Sequence, residues 1–221
     1  MRTFKKLLFT IVIGVVLALC SEGAARADPV VFSNFGPGMT FNTAQAWNVS
    51  GINFFAGRVV AQSFTPSANF TLNSLQLAMG IIDGPNILQV MLMTSSGGLP
   101  GTIVETITLT NAVAPIGTGG IVIANSALNP LLSAGTQYWI VAFAPDDNTL
   151  MGWNLSLGDF SSPVLLNGSH SVNGPWEFSG PRGAFQVNGA LVPEPATLLL
   201  LSLPLALLAL KRRKRKRVQR Q

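Results

Sequence analysis

Cysteine, lysine and histidine are nearly absent from most of this chain, and each absence removes a class of function. The single cysteine among 221 residues, Cys20, sits inside an N-terminal apolar stretch. Disulfide frameworks, thiolate zinc sites and a cysteine nucleophile are thereby excluded from everything downstream. Between residues 28 and 192 there is no lysine, and two arginines, Arg58 and Arg182, stand against seven acids: Asp28, Asp83, Glu105, Asp146, Asp147, Asp159 and Glu177. That stretch is acidic although the formal net charge of the whole chain is +5. Without a basic stripe to meet phosphates it is not a nucleic-acid binder.

The one histidine, His170, lies in the polar sequence Asn167-Gly168-Ser169-His170-Ser171. A histidine acting as general base needs an orienting acid and a nucleophile, and no serine stands in a nucleophile-elbow pattern. His170 is therefore expected as a solvent-exposed loop residue. A glycosidase would need two of the seven acids as a pair, and nothing in the sequence singles one out. No enzymatic activity and no cofactor are expected.

A long 3.6-residue apolar period is also missing from residues 28–192, which show short period-two runs separated by Gly, Pro, Asn and Ser. Phe70 and Leu72 alternate, then Leu75, Leu77 and Met79 resume on the other parity, which predicts a bulge or bend near Asn73-Ser74. Leu88, Val90 and Leu92 form a second run with Met91 and Met93 opposite; Ile107 and Leu109 alternate with threonines, and Phe185 and Val187 with Gln186 and Asn188. Residues 138–144 are apolar on both parities, as in a central strand covered on both sides. Residues 95–101, 117–120 and 146–148 are rich in turn formers. These spacings predict an all-β domain over residues 28–191, an antiparallel β-sandwich of jelly-roll or lectin-like type.

The basic residues gather at the two ends. Residues 1–27 read as a signal peptide: Arg2, Lys5 and Lys6, an apolar core over residues 7–19, and a small-x-small cleavage site at Ala25 and Ala27. Leu19 before Cys20 is too large for a lipobox. At the other end, Pro193-Glu194-Pro195 precedes an uncharged Leu- and Ala-rich run over residues 196–210, and Lys211, Arg212, Arg213, Lys214, Arg215, Lys216 and Arg217 follow it. The run of 15 residues is short against the roughly 17 to 25 of a spanning helix, and snorkelling lysines and arginines offset the shortfall. Such a block of bases stops transfer and stays cytoplasmic, so a transmembrane helix over residues 196–210 is expected.

A triplet Pro193-Glu194-Pro195, a short Leu-rich helix and a terminal Arg/Lys cluster together resemble the PEP-CTERM sorting domain, here over residues 192–217. The resemblance implies an exported bacterial protein, an exosortase as the membrane enzyme that processes the tail near the triplet, and an association with cell envelope, exopolysaccharide or biofilm matrix. Expected partners are that exosortase, the secretion translocon, the membrane and exopolysaccharide. The plain membrane anchor stays open as the simpler account, but it does not explain an acid held between two prolines. More faintly, Gln62-Ser63-Phe64-Thr65-Pro66, Leu99-Pro100-Gly101 and Gly183-Ala184-Phe185-Gln186-Val187 resemble choice-of-anchor domains that precede such tails.

An alternative function is a polysaccharide-binding module, calcium-assisted through Asp146 and Asp147. Calcium wants six to eight oxygens, and Asp146-Asp147-Asn148 equally suits a simple β-turn. Of the aromatic residues Trp47, Tyr138, Trp139, Trp153 and Trp176, Trp139 falls in the predicted central strand and belongs to the core. Trp153 and Trp176 stand beside Gly, Asn and Pro and are the expected surface contacts for a sugar ring.

Overall fold

The computed structural model describes residues 29–158 and 164–192. The signal-peptide residues and the predicted transmembrane run both lie outside these. Thirteen strands and one three-residue 3-10 turn, Pro37–Met39, make up the described chain, so the domain is all-β. No described helix is long and apolar enough to cross a membrane.

Two antiparallel sheets face each other. The first joins β1 (Val30–Ser33), β13 (Phe185–Leu191), β4 (Phe70–Asp83), β10 (Leu150–Leu155) and β2 (Asn42–Ser50) in that order. β7 (Ile121–Asn125) and β8 (Leu131–Leu132) also pair β4. The second runs β12 (Glu177–Ser179), β11 (Val164–Asn167), β3 (Val59–Phe64), β9 (Tyr138–Phe143), β5 (Ile87–Ser96) and β6 (Leu99–Thr110). Strands adjacent in sequence often sit in different sheets, as β3 and β4 do, which is what wraps a chain into a sandwich rather than a meander.

β4 is the spine of the first sheet. Its two apolar parities meet at a bulge: Asn188 of β13 opposes Ser74, and Gly189 opposes Leu72, which leaves Asn73 as the extra residue. The bulge turns Phe70, Leu72, Leu75, Leu77 and Met79 all inward, as the parity switch requires. The freed Asn73 carbonyl accepts from the Ser126 amide at 2.8 Å, so the irregularity also fixes the following loop.

β9 takes the central place between β3 and β5. Tyr138, Ile140 and Ala142 point into the space between the sheets, where they meet Leu88, Val90 and Leu92 of β5 and the inward residues of β4, β10 and β13. Trp139 and Val141 point the other way and form a second cluster with Val59, Ala61, Met91, Met93 and Leu165. Among the described residues, no strand covers that outer face. Leu99, Phe143, Val172 and Trp176 pack over it, the last two from the loop between β11 and β12.

Of the turn-rich stretch 95–101, only Gly97-Gly98 turns; the residues on both sides are paired across β5 and β6, Ser96 with Leu99 and Ser95 with Pro100. Both glycines have positive φ, 60° and 80°, the backbone of a two-residue hairpin loop that matches strand twist. Pro100 is tolerated because β6 is an edge strand and needs no donor on its open side.

Candidate functional site

The fold presents the sorting segment without a linker. Leu191 is the last residue of β13 and lies opposite Phe70; Val192 still donates its amide to the Asn69 carbonyl at 2.9 Å. The next residue is Pro193, the first of the triplet, which has no amide hydrogen to donate. β1 runs antiparallel to β13, and the Gly189 amide bonds the Pro29 carbonyl at 3.1 Å. The chain therefore enters and leaves the sandwich at one end. Pro193, Glu194, Pro195, the bases from Lys211 to Arg217, and Ala25 and Ala27 lie outside the described residues.

The two tryptophans expected at the surface behave differently. Trp153 is 0% exposed: it lies on the inward parity of β10 beside Met151, with an edge-on contact to Phe185 at 6.2 Å between ring centres. Its indole N–H donates to the Ala184 carbonyl at 3.0 Å. A sugar ring has no access to it, and the expectation of a surface contact there is corrected. Its neighbouring glycine is a packing requirement rather than a loop signal, because a Cβ on Gly152 would stand 3.0 Å from both Ala46 Cβ and Ile116 Cδ1. Trp176 is half-buried against the second cluster, with its indole nitrogen enclosed and without a hydrogen-bond partner among the described residues. It serves as a lid on that face. Trp47 instead borders an open depression of about 440 Å³ with Ala44, Gln45, Ala46, Leu155 and Pro181, and its indole N–H is held by the Pro181 carbonyl at 2.7 Å.

Asp146 and Asp147 occupy a turn at the end of the sandwich opposite the chain exit. The Asp146 carboxylate accepts the Asn148 amide at 2.9 Å and its carbonyl accepts the Thr149 amide at 3.2 Å, the contacts by which an aspartate closes a turn on itself. The Asp147 carbonyl accepts from the Asn53 amide at 3.0 Å, and the Asn53 side chain reaches Asn148 at 2.8 Å. Among the described residues no three His, Cys, Asp or Glu side chains gather as metal ligands would.

His170 is corrected from a solvent-exposed residue to a docked one. Its side chain is 15% exposed, its ring lies 4.8 Å from that of Phe143, and Nε2 is 2.8 Å from the Ala144 carbonyl. A carbonyl only accepts, so Nε2 carries the hydrogen, and Nδ1 faces Asp147 at 3.9 Å. With φ at 50° and its amide bonded to the Gly57 carbonyl, the residue pins the β11–β12 loop to the sandwich. Among the described residues its ring nitrogen bonds to a backbone carbonyl.

Sequence reasoning missed the buried polar groups. Glu105 is 4% exposed and takes three hydrogen bonds, from Ser126 Oγ at 2.6 Å and from the Ala127 and Leu128 amides at 2.7 and 3.1 Å. A carboxylate so engaged ties β6 to the loop after β7. Its signal was available, since Glu105 shares the inward parity of Ile107 and Leu109. Arg182 donates to the Ser63 carbonyl and lies over the rings of Phe32 and Phe185 at 4.9 and 5.1 Å. Gln62, wholly buried, faces Trp153 across Gly183, where any Cβ would come within 2.4 Å of the glutamine amide nitrogen.

Residues 191–216 match the family model of the PEP-CTERM protein-sorting motif. Comparison with curated proteins and with solved structures gives no match. The chain thus carries a PEP-CTERM sorting motif that begins on Leu191, the last residue the sandwich pairs into a strand.

Proposed function

We propose that the chain is an exported, non-enzymatic protein of the cell envelope or exopolysaccharide matrix, handed to an exosortase at its C-terminus. In this reading residues 1–27 bring it across the membrane, residues 196–210 hold it there with the bases inside, and processing near Pro193-Glu194-Pro195 releases or transfers a jelly-roll sandwich. The observation that carries it is the sorting motif at residues 191–216. The end of β13 at Leu191 supports it, since two prolines directly after a folded domain favour the backbone in which a peptide enters an enzyme's cleft.

Deleting Pro193 to Pro195 leaves every described strand residue in place, because β13 ends at Leu191. The variant should then accumulate in the membrane fraction at precursor size, while the unaltered protein is shortened and leaves it. Unchanged size and fractionation would remove the processing step from the proposal. The polysaccharide-binding alternative has lost Trp153 to the core, and of its two calcium residues Asp146 spends its carboxylate on closing a turn.

A further inference from the structure

The two ends of the sandwich differ in a way that assigns one of them a partner. β4 runs the length of the first sheet, and its 14 residues at about 3.3 Å each put Phe70 and Asp83 roughly 40 Å apart. At the Phe70 end the chain exits: Leu191 opposes Phe70, and Pro29 bonds Gly189. Leu131 opposes Thr71, and the Leu128 loop is held to Leu72 and Asn73 by the bonds of Pro130 and Ser126. Leu128, Leu131 and Leu191 are 67%, 55% and 57% exposed, and all three belong to segments bonded to the first four residues of β4.

The far end also exposes apolar residues, Ile52, Phe55 and Ile82, but sets them among Asp83, Asp146, Asp147 and Arg58. Glu177 opposes Leu166, which in turn opposes Val60, two residues from Arg58, so the remaining exposed acid belongs to that half too. Among the described residues, the exit end carries leucines and no exposed charge.

We propose that the exit end rests on the outer bilayer surface, with Leu128, Leu131 and Leu191 seated among the lipid headgroups. This rests on the reading of residues 196–210 as a membrane segment. Only Val192 to Pro195 separate Leu191 from that run, and four residues reach about 14 Å at full extension, less than half the sandwich's length. The domain cannot drift away from the surface. Its N-terminal end leaves on the same side, so before signal cleavage both apolar segments draw the same end down. A bilayer rich in anionic lipid repels carboxylates, and among the described residues the solvent-facing acids Asp83, Asp146, Asp147 and Glu177 lie in the opposite half, while Glu105 at the exit end is buried. The consequence is a fixed orientation in which the sorting triplet lies at headgroup depth.

The test uses the full-length precursor with Cys20→Ser, carrying a fluorescent label at Leu131→Cys or, as control, at the equally exposed Ile52→Cys. Each is reconstituted into phosphatidylethanolamine/phosphatidylglycerol vesicles that contain headgroup spin-labelled lipid. Interfacial seating is a matter of about 5 to 10 Å of depth, so the label at 131 should be quenched about threefold or more over the one at 52. Adding Leu128→Asp and Leu191→Asp should bring it down to the control while the chain still floats with the vesicles. Equal quenching at 131 and 52 in floating chains overturns the seated end and leaves the anchor standing. Chains that do not float overturn both.

Discussion

The second sheet has two apolar faces, and they are closed by different means. The face bearing Leu88, Val90, Leu92 and Ile140 meets another sheet, and its residues are sealed. The face bearing Met91, Met93, Trp139 and Val141 meets Val172 and Trp176 from a loop, and these stay partly exposed with Leu99 and Phe143 of the sheet's own strands. A partnering sheet offers a continuous row of side chains at about 10 Å spacing, whereas a loop offers a few side chains held by local bonds. The comparison explains why two tryptophans in similar local sequences have opposite fates: Trp153 is on a strand of the opposing sheet, and Trp176 is on the covering loop.

The contrast is broken most directly by Trp153→Ala. Truncation leaves a large void against Phe185 and Met151 and removes one of the two hydrogen bonds to the Ala184 carbonyl, which keeps the Ala78 amide, with an expected loss of about 3 to 5 kcal/mol in a urea titration. A loss below about 1 kcal/mol would mean that the inter-sheet face collapses around the gap and is no more rigid than the loop-covered one.

Much of this architecture is legible in the sequence where apolar residues alternate without interruption. The bulge at Asn73 and the doubly covered β9 follow from parity alone, because the side-chain period of a strand is two and a switch of apolar parity demands an extra residue. The sorting tail is legible for another reason, since its triplet, apolar run and bases are contiguous in sequence. β10 is not legible in that way. Gly152 and Asn154 look like loop residues, but the first makes room for Ala46 and Ile116 and the second bonds the Asn42 carbonyl at 3.1 Å. His170 is misread for the same reason: what docks it is Phe143, Ala144 and Gly57, far from it in sequence. Contacts between distant segments leave no local period.

A second change sharpens the comparison from within the sealed face. Both polar atoms of the Gln62 amide are buried among the described residues without a hydrogen-bond partner, beside the Trp153 ring. An unmet buried amide costs about 1 to 3 kcal/mol, so Gln62→Met, similar in length and without the polar atoms, should raise the urea midpoint by that order. If stability falls instead, the amide holds a buried water that the thioether cannot, and the sealed face is wetter than its apolar lining suggests.

The smallest effect is expected on the loop-covered face, where Trp176→Ala removes a half-exposed ring from Met91, Met93 and Trp139. Only the covered part of the ring's area returns to water, and the loop can settle onto the face after truncation, so the global loss should be about 1 kcal/mol. The informative readout is local. The loop between β11 and β12 is held by Asn167 Nδ2 to the Ser171 carbonyl at 2.7 Å, by His170 Nε2 at 2.8 Å from the Ala144 carbonyl, and by the Trp176 ring. Removing the ring takes away the apolar share of that hold and leaves the polar share, so amide exchange should accelerate across residues 168–176 while β3 and β9 keep their protection. If exchange instead rises together in β3, β9 and the loop, the covering is part of one cooperative unit with the sheet, and the two faces differ in exposure but not in how they hold the fold together.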